Sequence, residues 1–343
     1  MGGRARGSIS VAWRLILGSA LAVITFSAPP ALAEDVTIGV LSTTSTAPVF
    51  LAIDRGYFQD EGLKAKIVTF ESAQPVAVAA VSGDIDFATT GVTSAFFNLA
   101  GQGALKIISG AYSERRGFHY NAFVASKSAF AAGVSSLNAL PGHSFALTQI
   151  GSPPHYAIGV IAEKLGLDLK NVRLLPLQSI PNQVSALTGN QVDVAMLQAS
   201  IALPIIDRGD AKLMGWLSDE MSWQLGIIFT STKIANEKMD LIHRTLRAIA
   251  RGRQDYVDAF IAADGSLKMG ATSGDVLDLL AKHLQQSPEQ VKLGLLYLDK
   301  DGRLDTTDIL RQIAWYKAQG MLKGEVNGNA IIDSRYVVAL PQQ

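Results

Sequence analysis

The segment GDIDFATTGVTSAFF, residues 83–97, joins a strand pattern directly to the start of a helix pattern. Its alternation of acidic and apolar residues is typical of a short strand, and the hydroxyl residues and glycine that follow are typical of a polar loop before a helix. The segment GNQVDVAMLQAS, residues 189–200, has the same order. Each segment therefore predicts a strand whose carboxyl end leads through a polar loop into a helix N-terminus.

The correspondence extends outward along the chain and defines an internal repeat. The segments VTIGVLSTTSTAPVFLAIDRGYF, residues 36–58, and HSFALTQIGSPPHYAIGVIAEKL, residues 143–165, match at almost the same interval. A repeat unit of about 100 residues is a domain rather than one turn of a solenoid. Because strands that alternate with helices pair in parallel, the sequence predicts an α/β protein of two similar lobes, each a mostly parallel sheet flanked by helices.

The pattern changes after the second repeat. Residues 226–235 predict one more strand that leads into a helix, and the rest of the chain is dominated by helical stretches at 237–263, 273–285 and 305–319. These helices have no strand partners of their own, so we expect them to complete the first lobe. The chain would then cross between the lobes twice, through two strands that form a hinge. The predicted limits are 34–121 with 231–343 for the first lobe, and 122–230 for the second.

The N-terminal region, residues 1–33, is typical of a cleavable signal peptide. Three arginines precede or border the apolar stretch LILGSALAVITFSA, and the small residues of PPALA favour cleavage after Ala33. A retained membrane anchor is the alternative, but the apolar stretch is shorter than the ~20 residues that a membrane span needs. We therefore expect an exported, periplasmic protein whose mature chain begins at Glu34.

The composition excludes several classes of protein. The chain has 30 basic and 30 acidic residues, so it lacks the positive charge expected of a protein that binds nucleic acid or anionic lipid. It has no cysteine, which excludes disulfides, thiolate metal sites and a lipidated N-terminal cysteine. No metal is expected, because the histidines do not stand at metal-ligand spacing. We also expect a monomer without a cofactor. No P-loop, dinucleotide loop, nucleophile elbow or zinc-protease helix occurs, so no catalytic residue is expected.

Four predicted strand ends share a polar, helix-initiating sequence. In open α/β sheets, ligands bind beyond the carboxyl ends of the strands, where helix N-termini offer N–H groups and a favourable dipole without any Lys or Arg. One such junction alone is usually an ordinary helix cap. Four at equivalent positions in two lobes predict a shared ligand site. The junctions are STTSTAP (42–48), TTGVTS (89–94), TQIGSPP (148–154) and MLQAS (196–200).

Some aromatic and basic residues lie close to the predicted cleft. Tyr112 and Trp216 fall at strand ends, where they can contact an apolar or aromatic ligand or pack into the core. His155 falls in the first turn of a predicted helix, which makes it a further candidate. Whether Arg115, Arg116 and His119 near the first crossing reach the ligand is left open.

The mature sequence resembles the nitrate, taurine and alkanesulfonate group of ABC-transporter substrate-binding proteins, which also includes binders of thiamine-pyrimidine precursors. The resemblance spans essentially the whole mature chain and includes the terminal segments WYKAQGMLKGEV and DSRY. The matching positions of the first lobe are Ala52, Gly56, Phe58, Glu61, Gly62, Leu63, Ala79, Ser82, Gly83, Asp86 and Gly91. Those of the second lobe are Gly151, Ser152, Gly189 and Asp193.

The resemblance implies a two-lobed type II periplasmic-binding-protein fold that delivers a small solute to a membrane permease and its ATPase. It also implies ligand contacts at the strand-to-helix loops. With His155 and Trp216 from the residues themselves, the candidate ligand-binding residues are Thr43, Thr44, Ser45, Thr46, Thr90, Gly91, Thr93, Tyr112, Gly151, Ser152, His155, Gln198 and Trp216.

The ligand class stays open at this point. A small organic anion, either a sulfonate or an aromatic or aliphatic carboxylate, is the leading expectation. A neutral heteroaromatic such as a thiamine pyrimidine precursor is the alternative, because the junctions lack the basic residue of sulfonate and nitrate binders. An enzyme on the same fold is a third class, although the fungal pyrimidine synthase on this fold has a cysteine-rich motif that this chain lacks.

Overall fold

The computed structural model describes residues 1–4, 7 and 33–341. Residues 33–343 form one compact unit, to which the following description refers. The predicted signal peptide lies almost entirely outside the described residues. In the part of the chain that is described, no helix is both long and apolar enough to cross a membrane.

Ten strands form two five-stranded sheets. Their bounds are β1 Glu34–Leu41, β2 Leu63–Phe70, β3 Phe87–Gly91, β4 Leu105–Glu114, β5 Asn121–Ser126, β6 Ser144–Leu147, β7 Arg173–Pro176, β8 Val194–Gln198, β9 Ala211–Trp216 and β10 Trp223–Ser231. The first sheet has the order β2-β1-β3-β10-β4, and the second has the order β7-β6-β8-β5-β9.

Helices cover the sheets. The helices of the first repeat and the crossing are α1 Ala47–Asp54, α2 Tyr57–Asp60, α3 Ala73–Ser82, α4 Ser94–Gly101 and α5 Lys127–Ala131. Those of the second repeat are α6 Pro153–Leu165, α7 Ile180–Thr188, α8 Ala199–Asp207 and α9 Leu217–Glu220. The C-terminal region contributes α10 Thr232–Glu237, α11 Met239–Phe260, α12 Ser273–Leu284, α13 Pro288–Leu293, α14 Thr306–Ala318 and α15 Gly328–Ile331.

Both sheets have the same mixed topology. In the first, β1 pairs in parallel with β2 and β3, and β10 lies antiparallel between β3 and β4. In the second, β6 pairs in parallel with β7 and β8, and β5 lies antiparallel between β8 and β9. The predicted fold class, two mostly parallel sheets flanked by helices, is confirmed.

The two equivalent aspartates of the repeat, Asp86 and Asp193, have the same structural role in both lobes. The Asp86 carboxylate accepts hydrogen bonds from the backbone N–H and the hydroxyl of Thr37, both at 2.8 Å. The Asp193 carboxylate accepts the same pair from Ser144, both at 2.7 Å. Each aspartate precedes a central strand and ties it to its parallel neighbour. Their role is therefore structural, and they stand outside the site.

The crossings between the sheets differ from the sequence expectation. The chain leaves the first sheet at Glu114 and returns to it at Trp223, so the crossing segments are 115–120 and 217–222. Neither segment is a strand, and each is followed by the antiparallel strand of the sheet that it enters. The predicted boundary at residue 230 falls at the end of β10, which pairs throughout with the first sheet.

The C-terminal helices do more than complete the first lobe. Helices α11 and α12 pack against α1, as expected for the first lobe. Helix α13, however, contacts α8 of the second lobe, and α14 contacts both α4 and α6. Trp315 of α14 lies against Gly159 of α6, and its Nε1 donates to Glu163 Oε1 at 2.9 Å. The C-terminal region thus bridges the two lobes.

Candidate functional site

A cavity of about 80 Å³ lies between the carboxyl ends of the two sheets. Since one buried water needs about 10–15 Å³ on this measure, the cavity has room for a small organic molecule rather than a single ion. Both lobes contribute to its wall. The lining residues are Leu41, Thr43, Ser45, Glu71, Ser72, Ala73, Thr90, Gly91, Tyr112, Tyr120, Asn121, Thr148, Pro153, Pro154, Ile180, Gln183, Met196, Gln198 and Leu225.

All four predicted strand-to-helix junctions reach this cavity. Six of the candidate residues line it, and they come from three junctions and from the end of β4: Thr43, Ser45, Thr90, Gly91, Tyr112 and Gln198. The fourth junction reaches it through Thr148, Pro153 and Pro154.

The side-chain hydroxyl groups of three other candidates form hydrogen bonds within the protein. Thr44 Oγ1 donates to the carbonyl oxygen of Gly294 at 2.6 Å, and Thr46 Oγ1 donates to that of Leu41 at 2.8 Å. Thr93 caps α4, since its Oγ1 accepts from the N–H of Phe96 at 3.0 Å. None of these three lines the cavity.

Gly151, Ser152 and His155 form the turn that begins α6, beside the cavity rather than in its wall. The Gly151 N–H donates to His155 Nδ1 at 3.0 Å. Burial lowers the pKa of His155 to about 4, so the imidazole is neutral near pH 7 and can accept this bond. The carbonyl oxygen of Ser152 accepts from the Tyr316 hydroxyl at 3.3 Å.

The remaining candidates lie at the crossings. Trp216 is the last residue of β9, directly before the second crossing. Its ring stacks on that of His119 in the first crossing, with the ring centroids 4.5 Å apart. The Arg115 guanidinium lies 4.3 Å from the Tyr297 ring centroid. Neither these side chains nor Arg116 line the cavity.

The wall contains polar residues that sequence reasoning missed. Tyr120 and Asn121 lie at the first crossing, Ser72 precedes α3, and Gln183 projects from α7. The signal available for Ser72 was the helix-initiating segment ESAQP, which resembles the four junctions. Local sequence offered no comparable signal for the others, because the packing of the two lobes brings them to the cavity.

Buried polar atoms in the wall are free to bind a ligand. Among the described residues, Thr90 Oγ1 and Gln183 Oε1 are buried without a hydrogen-bond partner. An unsatisfied buried acceptor costs about 1–3 kcal/mol, which a ligand donor can recover. Burial raises the pKa of Tyr120 to about 12 and also raises that of Tyr112, so both hydroxyls keep their protons and can donate.

The wall carries little charge. Among the described residues that line the cavity, Glu71 at the exposed edge is the one that is charged. The expected helix N–H donors are largely taken. The Ser94 N–H donates to Gly151 O at 2.9 Å, the Ala199 N–H donates to Tyr120 O at 2.8 Å, and α6 begins with two prolines, which have no N–H. The helix dipoles remain, but few free N–H groups accompany them.

The mouth of the cavity is closed by contacts between the lobes. The bond from Ser94 to the Gly151 carbonyl is one of them. Gln149 Nε2 donates to Ser72 Oγ at 2.6 Å, and Gln74 Nε2 donates to the Ile150 carbonyl at 2.8 Å. These contacts join the two lobes beside the cavity in the described structure.

No group of three or more His, Asp or Glu side chains that could hold a metal occurs in the described part of the chain. The cavity wall accordingly offers hydrogen-bonding and apolar groups. Such a wall can bind and orient a small molecule, and the described residues that line it include no His, Lys or Arg.

Comparison with solved structures identifies relatives of the fold. The alkanesulfonate-binding protein SsuA from Xanthomonas axonopodis pv. citri, bound to MOPS, has a TM-score of 0.71 at 18% identity, with 88% of this chain and 99% of that chain covered. The periplasmic nitrate-binding protein NrtA from Synechocystis PCC 6803 has a TM-score of 0.66 at 13% identity, covering 87% and 85%.

A third relative comes from a eukaryote. The Candida albicans CA3427 gene product, described as having the generic periplasmic binding protein structural fold, has a TM-score of 0.69 at 17% identity, covering 90% of this chain and 99% of that chain. These likenesses confirm the periplasmic-binding-protein fold. No curated protein sequence matches the chain.

A family model described as "NMT1/THI5 like" matches residues 43–259, which include β10, most of α11 and every lining residue except Leu41. The match agrees with the resemblance found in the sequence. The chain therefore belongs to the NMT1/THI5-like family.

Proposed function

We propose that this protein is the solute receptor of an ABC importer. It is exported to the periplasm after cleavage following Ala33, binds one small solute between its two lobes as a monomer, and delivers it to a membrane permease and its ATPase. The lobes close about the segments 115–120 and 217–222. The fold and the family support this proposal.

The observation that carries the proposal is the cavity between the lobes, with buried polar atoms that lack a partner. A scaffold does not gain stability from leaving Thr90 Oγ1 and Gln183 Oε1 unsatisfied. In a receptor these atoms can form hydrogen bonds with a ligand when the lobes close around it. Working affinity near micromolar requires about 8 kcal/mol, which a few such bonds and apolar contacts supply.

The wall favours a neutral, hydrogen-bonding and partly flat solute over an anion. Gln183 Oε1 calls for a ligand N–H or O–H group, and the hydroxyls of Thr90, Tyr112 and Tyr120 can each donate to a ligand or accept from it. Met196 and Leu225 provide apolar surface for a ring. Glu71 repels a sulfonate or carboxylate. Of the two ligand classes left open by the sequence, we therefore propose the neutral heteroaromatic one.

A thermal-shift panel tests both classes in one experiment. The protein is heated with aminopyrimidines, taurine, benzoate and nitrate, each in excess. A true ligand at 100 times its dissociation constant should add about 2.7 kcal/mol to the free energy of unfolding and raise the melting temperature. We expect aminopyrimidines to give the largest shift, with little effect of nitrate.

A variant in the wall and a control variant outside it test whether the thermal shift arises from binding in the cavity. Thr90→Val should reduce the shift, because it removes a buried acceptor from the wall at nearly constant volume. Thr188→Val removes the hydroxyl at the C-terminal end of α7, which lies outside the wall, and should leave the shift unchanged. A larger shift with taurine would overturn the ligand class. No shift with any solute, together with turnover of a substrate, would overturn the receptor function.

A further inference from the structure

Glu114 occupies the point where the first crossing leaves the first sheet. It is the last residue of β4, and its carboxyl group accepts from Asn121, the first residue of β5. Asn121 Nδ2 donates to Oε2 at 2.7 Å, and the Asn121 backbone N–H donates to Oε1 at 3.4 Å. One carboxyl group thus spans the crossing and holds a residue of the cavity wall.

The second crossing returns to the same point. Trp223, the first residue of β10, lies opposite Glu114 in the antiparallel ladder between β10 and β4. Both segments about which the lobes would rotate therefore meet at this side chain. We expect a rotation between the lobes to change the surroundings of Glu114.

The carboxyl group is buried without a cation. Glu114 is 1% exposed, and it forms no ion pair with any described residue. Arg115 is turned onto Tyr297, and His119 is stacked on Trp216. The titratable and charged groups on the described elements around it include Lys106 and Tyr112 on β4, Arg115, Arg116, His119 and Tyr120 on the crossing, Tyr297 beside Ser113, and Asp308 beneath Gln224.

Burial therefore favours the neutral acid in the closed form. A carboxylate in an apolar site without a counter-charge is costly, and protonation relieves that cost. Burial raises the pKa of Glu114 to about 8, although the hydrogen bonds from Asn121 act in the opposite direction.

We propose that Glu114 is a proton-linked positioning residue of the cleft. While the lobes are closed, its neutral carboxyl group holds Asn121 in the cavity wall. When the lobes open, water reaches the carboxyl group, and the proton is released to solvent. This inference rests on the proposed closure of the two lobes, and it does not depend on which solute they bind.

The direction of the pH effect follows from this linkage. Below the ordinary pKa of a glutamate, about 4.3, both forms carry the proton and closure has no electrostatic cost. As the pH rises from there toward 8, the open form ionises first and is favoured. Closure and ligand affinity should therefore weaken with rising pH, by at most about tenfold per pH unit for one proton.

The test measures closure without any ligand. Because the chain has no cysteine, Val78→Cys on α3 and Ser185→Cys on α7 provide the only two thiols for spin labels. Both positions are exposed, and α3 and α7 face each other across the cavity mouth. Pulsed electron resonance then reports the distance between the labels at about pH 5.5 and about pH 8.5, which span most of the range over which closure should weaken.

We expect the longer, open distance to gain population at the higher pH in the labelled protein. Adding Glu114→Gln should remove this pH dependence, and adding Glu237→Gln at an exposed position should preserve it. An equal pH response with and without Glu114→Gln, or no response in the labelled protein, would overturn the proposal.

A second measurement avoids any variant at Glu114. Carbon-13 NMR of the protein labelled at glutamate side-chain carboxyl groups follows their titration directly. One glutamate should titrate well above the others. Titration of every glutamate in the ordinary range would contradict the inference even if Glu114→Gln failed to fold. Failure of the receptor function would appear separately, as the absence of any solute-induced thermal shift.

Discussion

Gly151→Ala should weaken ligand binding about ten- to a hundredfold while leaving both sheets folded. A Cβ atom at this position would lie 1.9 Å from Ser94 Oγ and 2.8 Å from Ser94 Cβ, on the opposite lobe. Overpacking of this kind costs about 1–3 kcal/mol, and 1.4 kcal/mol corresponds to a factor of ten in affinity. The lobes can avoid the clash by staying apart, so the cost falls on closure. Calorimetric titration with the strongest binder from the panel measures the loss.

Gly166→Ala is the matched control for this variant. Gly151 and Gly166 flank α6, and both have a left-handed backbone, with φ of +80° and +69°. Alanine therefore brings a similar strain of about 1–2 kcal/mol to either position. A Cβ atom at Gly166 meets nothing within 4 Å. An equal loss of affinity in the two variants would show that backbone strain, rather than blocked closure, is responsible.

Gly252→Ala should destabilise the first lobe, although alanine normally stabilises a helix. Gly252 lies in the middle of α11, where a Cβ atom would lie 2.1 Å from the carbonyl oxygen of Pro48 and 2.8 Å from the Ala52 nitrogen. Backbone atoms cannot rotate away, so α1 has to move. We expect a net loss of about 1–3 kcal/mol in the free energy of unfolding, measured by denaturant titration.

The same displacement should affect the site, because α1 follows the turn that carries Thr43 and Ser45. Gly274→Ala in α12 serves as the control, since no atom lies within 4 Å of its Cβ position. That variant should gain up to about 1 kcal/mol from helix propensity. A stability change of the same sign in both variants would contradict the account of close packing between α1 and α11.

The two lobes could be predicted because their determinants are local. Alternating patterns, glycines at helix ends and the paired aspartates recur in each repeat, and Asp86 and Asp193 make equivalent bonds within their own sheets. The strand-to-helix junctions could be predicted from the sequence for the same reason, since their determinants are also local. Each junction is read from a few consecutive residues, and all four reach the cavity.

The crossings could not be placed from the sequence alone. Strand β10 begins at Trp223, three residues before the apolar run that predicted it, because the polar Gln224 interrupts the pattern. Gln224 is nevertheless buried, since its Nε2 donates to the carbonyl oxygens of Tyr112 and Gly226. Its backbone N–H donates to Asp308 Oδ2 at 2.8 Å. Tyr112 and Asp308 are distant from Gln224 in sequence, so a local pattern could not reveal these contacts.

The expectation that helix N-termini bind an anion also depended on contacts between the lobes, which the sequence does not show. Sequence shows which residues begin a helix, but it does not show that Gly151 of one lobe takes the N–H of Ser94 of the other. Tyr120, Asn121 and Gln183 reach the cavity through the arrangement of the lobes. The hydrogen-bonding groups of the wall could therefore be identified only from the arrangement of the two lobes.

The most direct test of the central claim is a crystal structure of the protein with the panel solute that raises its melting temperature most. We predict one solute molecule enclosed between the lobes, with its donors on Thr90 Oγ1 and Gln183 Oε1 and its ring against Met196 and Leu225. A solute bound on the outer surface, with the cavity empty, would contradict the claim that this protein is a receptor that closes around its ligand.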